Sequence, residues 1–177
     1  VLRLFNLPKP TIAMVNGVAA GAGFNLALCC DMIIASEKAS FIQSFSKVGI
    51  ASDCGGHWLL RRAVGPYIAK ELMLTCRLVS AQEGLELGFV NRVVPHDSLE
   101  AETMKLARSL AQGAPLAMAA IKKLIDAGDN MTFEEMLAEE KKRQARLLLS
   151  DDCREGINAF LNKRKPVFSG GKSPSDD

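Results

Sequence analysis

KPTIAMVNGVAAGAGFNLALCCDMIIASEKASF, residues 9–41, changes character several times within a short span, and each change predicts a structural element. Pro8 and Pro10 bracket a turn, after which the β-branched, apolar run Thr11 to Asn16 suits a buried strand. Gly17, Gly21 and Gly23 then crowd into a loop. Phe24 to Cys30 follows without a breaker, as a short buried helix does. Asp31 is expected to close that helix, Met32 to Ser36 to form a second strand, and Ala39 to Gln43 a third beside it. The arrangement is β-α-β, so the fold class is α/β.

A glycine loop between strand and helix lets backbone N–H groups approach a ligand, and the helix N-terminus adds positive potential. Three readings follow. Gly21-x-Gly23 with Glu37 at the end of the next strand could be a dinucleotide fingerprint, but Leu26 occupies the third glycine position and the helix is too short. The loop could be a tight turn that packs small residues. It could also be an oxyanion hole.

Outward from this stretch, helix signals dominate after Gly55. HWLLRRAV precedes a break at Gly65-Pro66, then come YIAKELMLTC, AQEGLELG and a short strand from Phe89 to Val94. Asp97 with Glu100, and Thr132 with Glu135, have capping-box spacing; Gly113 and Gly128 supply helix stops. Leu116, Ala120, Ile121, Leu124 and Ile125 recur at helical spacing, and Glu139 to Arg143 reads as a solvated helix face. Residues 1–95 are expected to form the sheet-bearing core and 96–168 a helical region, with 169–177 a disordered tail.

Length and composition exclude several classes. The chain has 177 residues, the size of one ordinary domain, and its 22 Lys plus Arg against 20 Asp plus Glu give no charge excess that would call for nucleic acid or an anionic membrane. No apolar run is long enough to span a bilayer. Five cysteines at irregular spacing fit neither a disulfide framework nor a metal site, which favours a reducing cytoplasm. His57 and His96 are too few for a metal cluster and are expected at the surface or in packing; Trp58 is expected in the core. The chain starts without Met, on residues that resemble the end of a helix, so an upstream part is expected to be missing.

Residues 9–41 resemble the segment K-P-x-I-A-x-V-x-G-x-A-x-G-x-G-x-x-L-A-x-x-C-D that marks the crotonase, or enoyl-CoA hydratase/isomerase, superfamily. The likeness continues through Gly55-Gly56, LTCRLVSAQEGLELGFVNRVVP and FLNKRKPVF, covering residues 8 to 169. The resemblance implies the C-terminal part of a spiral of ββα units, followed by helices that support a homotrimer or dimer of trimers. It also implies an acyl-CoA thioester as substrate, with no cofactor beyond the coenzyme A that the substrate carries.

By the same resemblance, the backbone N–H of Ala22 is one donor of the oxyanion hole, flanked by Gly21 and Gly23. The partner donor belongs to an upstream segment. Hydratases of the family use two glutamates, and the matching positions here are Asn25 and Phe45, neither of which can activate water. FSKVGIASDCGGHWLLRRAVG instead resembles the corresponding stretch of ring-epoxide and enoyl-CoA isomerases, with Ser52 in place of their Pro. This makes Asp53 the expected base, although it also stands where a cap for the next helix belongs. Gly21, Gly23, Asn25, Phe45, Phe160 and Lys163 are expected to line the substrate, the last with its charge on a CoA phosphate. The implied activity is isomerisation of an enoyl-CoA or ring-epoxide CoA in fatty-acid or phenylacetate breakdown. Hydration, thioester hydrolysis and a non-catalytic acyl-CoA-binding or assembly module are the alternatives.

Overall fold

The computed structural model of the chain describes residues 1–171. Two compact units divide it inside one helix: residues 1–7 with 11–107 form the first, residues 8–10 with 108 onward the second. No helix among the described residues is long and apolar enough to cross a membrane.

The first unit carries α1 (Leu2–Phe5), β1 (Ile12–Val15), β2 (Val18–Ala20), α2 (Ala22–Leu28), β3 (Met32–Ser36), β4 (Ser40–Ile42), α3 (Gly56–Thr75), β5 (Val79–Ser80), α4 (Ala81–Glu86), β6 (Arg92–Val94) and most of α5 (Leu99–Ala111). A 3-10 turn, Phe45–Val48, follows β4. β1, β3 and β6 make one parallel sheet, in which Ile12 lies opposite Met32 and Ile34 opposite Arg92. β2 and β4 pair parallel in a second sheet, closed by antiparallel β5. In the first four strands each pair splits between the two sheets and is followed by a helix, so β1-β2-α2 and β3-β4-α3 are successive turns of a ββα spiral.

Several sequence expectations change here. The glycine stretch holds a strand of its own, β2, between Gly17 and Gly21. β4 pairs with β2 and β5, not with β3, because Lys38 and Ala39 carry the chain into the other sheet. Asp31 does not close α2, whose C-cap is Cys29. Its carboxylate instead accepts from the Thr11 N–H (2.6 Å) and hydroxyl (2.8 Å), anchoring the entry to β1. Asp97 lies inside a helical turn, His96–Ser98, that runs straight into α5, so it is not the N-cap of a box. The break in α3 is where it was expected, with Gly65 at φ 76, ψ 169 before Pro66.

The core of this unit lies between the sheets and helices. Phe24 of α2, Phe41 of β4 and Phe89 ahead of β6 pack ring against ring at centroid distances of 5.0 to 5.2 Å, with Phe24 and Phe41 fully buried. Aromatic rings in this tilted and edge-on geometry gain beyond their buried area. The cluster fixes α2, and hence the glycine loop, on the second sheet.

The second unit holds α6 (Pro115–Ala127), α7 (Phe133–Leu147) and α8 (Asp151–Leu161). Thr132 and Glu135 form the expected capping box of α7. Ile121 and Ile125, which recur at helical spacing on α6, are 57% and 67% exposed. Of the expected tail, Ser169 and Gly170 donate their N–H groups to the buried Asp152 carboxylate. Residues 172–177 lie outside the described residues.

Candidate active site

The site is built around the turn into α2. Gly21 adopts φ 50, ψ −117, a conformation that a side chain resists, and a Cβ there would lie 3.3 Å from the Phe45 ring. Its N–H donates to the Ile42 carbonyl at 2.9 Å, which locks the loop onto the end of β4. Ala22 is the first helical residue, so its N–H has no intrahelical acceptor. Among the described residues no other acceptor is paired with it. The structure thus leaves at Ala22 a backbone donor at the positive end of a helix. Gly23 is exposed beside it, and Phe45 covers the other side of Gly21.

Asn25 is fully buried. Its Nδ2 donates to Ser52 Oγ (3.0 Å) and to the main-chain carbonyl of Asp53 (2.9 Å), and its Oδ1 accepts from Gln43 Nε2 (2.8 Å). Asn25 thus links α2 to the segments that carry Gln43, Ser52 and Asp53. Ser52 Oγ in turn donates to Gln43 Oε1 at 3.3 Å. Sequence reasoning missed Gln43, 1% exposed. The signal available was a lone amide at the end of an apolar strand, which must find partners when buried.

The helix after this loop settles the second expectation for Asp53. α3 begins at Gly56 with Gly55 as N-cap and no side-chain cap bond. The Asp53 carbonyl accepts from the Gly56 N–H at 2.9 Å. Its carboxylate is exposed and is not spent as a cap. Next to it, Cys54 has a positive φ of 49. A hydrogen bond to the Asp53 carboxylate, joined by partial burial and that carboxylate's charge, pushes the Cys54 thiol above its ordinary range.

The first unit thus brings together Gly21, Ala22, Gly23, Asn25, Phe45 and Asp53. Phe160 and Lys163 belong to the second unit: Phe160 is 83% exposed on α8, and Lys163, at φ 51, follows its C-cap. Trp58, expected in the core, is 44% exposed, edge-on to Phe5 and under the Arg62 guanidinium at 4.3 Å. His96 packs, its Nδ1 sharing a hydrogen bond with Ser36 Oγ at 3.0 Å, and His57 is exposed.

A profile for the family described as enoyl-CoA hydratase/isomerase matches residues 1–171. The 1,2-epoxyphenylacetyl-CoA isomerase of Escherichia coli is 43% identical over 170 residues, covering 96% of this chain and 65% of that relative. The carnitinyl-CoA dehydratase of Salmonella typhi is 42% identical over 172 residues, with 95% and 66% covered. Among solved structures, an enoyl-CoA hydratase from a Polaromonas species superposes with a TM-score of 0.91 at 41% identity, over 94% of this chain and 65% of that one. The chain therefore spans somewhat less than two thirds of the length of these relatives. With its ββα spiral and helical C-terminal region, the chain belongs to the enoyl-CoA hydratase/isomerase family and has its crotonase-type fold.

Proposed function

We propose that this chain is part of an acyl-CoA isomerase in which Asp53 moves a proton between two carbons of a CoA thioester. The observation that carries this reading is the state of Asp53. Its carboxylate is exposed and free of cap duty, while its main chain is hydrogen-bonded to the helix that Ala22 opens. Asp53 takes a proton from the carbon α or γ to the thioester carbonyl. The electron pair moves into the carbonyl, and the oxyanion is held by the Ala22 N–H together with a second donor. The carboxylic acid then returns the proton to the other carbon, so the double bond shifts with no net gain or loss of atoms. Losing one such backbone donor typically costs about 2.7 to 4 kcal/mol of transition-state stabilisation.

Addition of water needs a group to activate it, and the two positions that match the hydratase glutamates are the buried amide Asn25 and the ring of Phe45. The name of the Escherichia coli relative agrees with isomerisation of a ring epoxide. Hydration or dehydration is the second reading, favoured by relatives of those names that match over the same span. We take an acyl-CoA thioester as substrate, with Phe160 and Lys163 meeting coenzyme A, and a homotrimer or dimer of trimers as the assembly. We take a cytoplasmic setting, which the irregular spacing of the five cysteines favours.

The test is product analysis with a 3-enoyl-CoA in deuterium oxide, using the chain extended by the upstream segment of the Escherichia coli relative. A deuterated 2-enoyl-CoA supports the isomerase. A 3-hydroxyacyl-CoA as the main product would overturn it in favour of hydration.

A further inference from the structure

We infer that Gln43, Asn25 and Ser52 are positioning residues for the Asp53 base, joined in a closed polar ring that hangs the base-bearing loop from α2. The inference rests on the reading of Asp53 given above and adds to it the residues that hold that base in place.

The ring closes through Gln43 Nε2 to Asn25 Oδ1 (2.8 Å), Asn25 Nδ2 to Ser52 Oγ (3.0 Å) and Ser52 Oγ to Gln43 Oε1 (3.3 Å). The second hydrogen of Asn25 Nδ2 leaves the ring for the Asp53 carbonyl at 2.9 Å, so both donors of this amide are used. Two buried primary amides are costly unless satisfied, and this ring satisfies each of them. A site needing only bulk would be filled more cheaply by apolar side chains. The ring joins three chain segments: the end of β4, the fourth residue of α2 and the loop before α3. Gly56 makes room for it, since a Cβ there would meet the Asn25 amide atoms at 2.5 Å and would also collide with Ser52 Oγ.

What the ring holds is specific. It fixes the backbone of Asp53 and leaves its carboxylate exposed. The same α2 carries the Ala22 donor, three residues before Asn25. The ring, together with the Gly56 N–H on the Asp53 carbonyl, thus ties the base-bearing backbone to the helix that carries the oxyanion donor. Misplacement of a reacting group by about 1 Å can cost about 100-fold in rate, so loosening the ring acts on turnover more than on binding.

The experiment uses the chain extended by the upstream segment of the Escherichia coli relative and measures kcat, KM and melting temperature for Ser52→Ala, Ser52→Thr, Gln43→Met and Asp53→Asn. Ser52→Ala and Gln43→Met are expected to lower kcat about 3- to 30-fold with KM within about twofold, while Ser52→Thr, which keeps the hydroxyl, stays near the parent. Should Gln43→Met fail to fold, the Ser52 pair decides, since Ser52 lies in a partly exposed loop. Unchanged kcat per folded molecule in Ser52→Ala, or an equal fall in Ser52→Ala and Ser52→Thr, overturns the positioning role. An inactive Asp53→Asn beside fully active ring variants overturns this inference alone. An active Asp53→Asn overturns both it and the assignment of the base.

Discussion

The Asn25 side chain donates to the main-chain carbonyl of Asp53 at 2.9 Å across 28 residues of sequence. The candidate base is therefore tied to the helix whose first N–H is the candidate oxyanion donor. Proton transfer to and from carbon depends on where the base stands relative to the developing oxyanion, and this buried side chain is one of the links between the two.

Gly21→Ala tests the turn that presents Ala22. At φ 50, ψ −117 a side chain is strained, and its Cβ would press on the Phe45 ring at 3.3 Å. A loss of about 1 to 3 kcal/mol is expected in urea denaturation, with a larger effect on kcat than on KM. Parental stability and kcat would mean that the loop tolerates another conformation.

Gly56→Ala acts on the other side of the site. The added methyl meets the Asn25 amide at 2.5 Å, and the amide cannot withdraw without giving up its bonds to Gln43 and Ser52. Overpacking of this kind costs about 1 to 3 kcal/mol, measurable as a shift of the denaturation midpoint.

Cys54 reports on Asp53 directly. Because the carboxylate raises the thiol above its ordinary value, less thiolate is present at mildly alkaline pH. Alkylation of Cys54 by iodoacetamide, followed by peptide mass spectrometry, is expected to be slower than for a model thiol and to speed up in Asp53→Asn. Equal rates in parent and variant would contradict the contact.

The second unit carries its own pH dependence. The Arg164 guanidinium grips Glu155 through two bonds of 2.6 and 2.7 Å, and the Val167 N–H adds a third at 2.9 Å. Together they lower its carboxyl from 4.5 to about 2. A depressed folded-state value means that the stabilisation is complete above the ordinary value of 4.5 and is lost as pH falls towards about 2. The gap in melting temperature between parent and Glu155→Gln is expected to narrow across that window.

Much of this was legible in the sequence where one residue type has one physical meaning. Met32 to Ser36 matches β3 residue for residue because an apolar run between polar stops leaves few alternatives. Gly65-Pro66 marks the α3 kink because neither residue continues a helix. β2 was hidden because Val18 to Ala20 sits among glycines that suggest only a loop. The sheet to which β4 belongs depends on pairing at a distance, which local pattern does not encode. At the site, the readings of Asp53 and of the glycine loop rest on the family resemblance, since residue type alone also allows a helix cap and a tight turn. Gln43 and the burial of Asn25 were not legible, since an amide looks the same whether it faces a ligand or closes a ring. Trp58 shows the same limit: an aromatic residue gives no sign that Phe5 and Arg62 will hold it at the surface.

The most direct test of the account is the rate of double-bond migration in a 3-enoyl-CoA, with deuterium uptake from solvent, for the extended chain and its Asp53→Ala variant, beside calorimetric binding of acyl-CoA to both. Removing a general base typically costs about 100- to 10,000-fold, so migration and deuterium uptake are expected to fall by that order while acyl-CoA binds as before. An Asp53→Ala variant that isomerises as fast as the parent would contradict the assignment of Asp53 as the base.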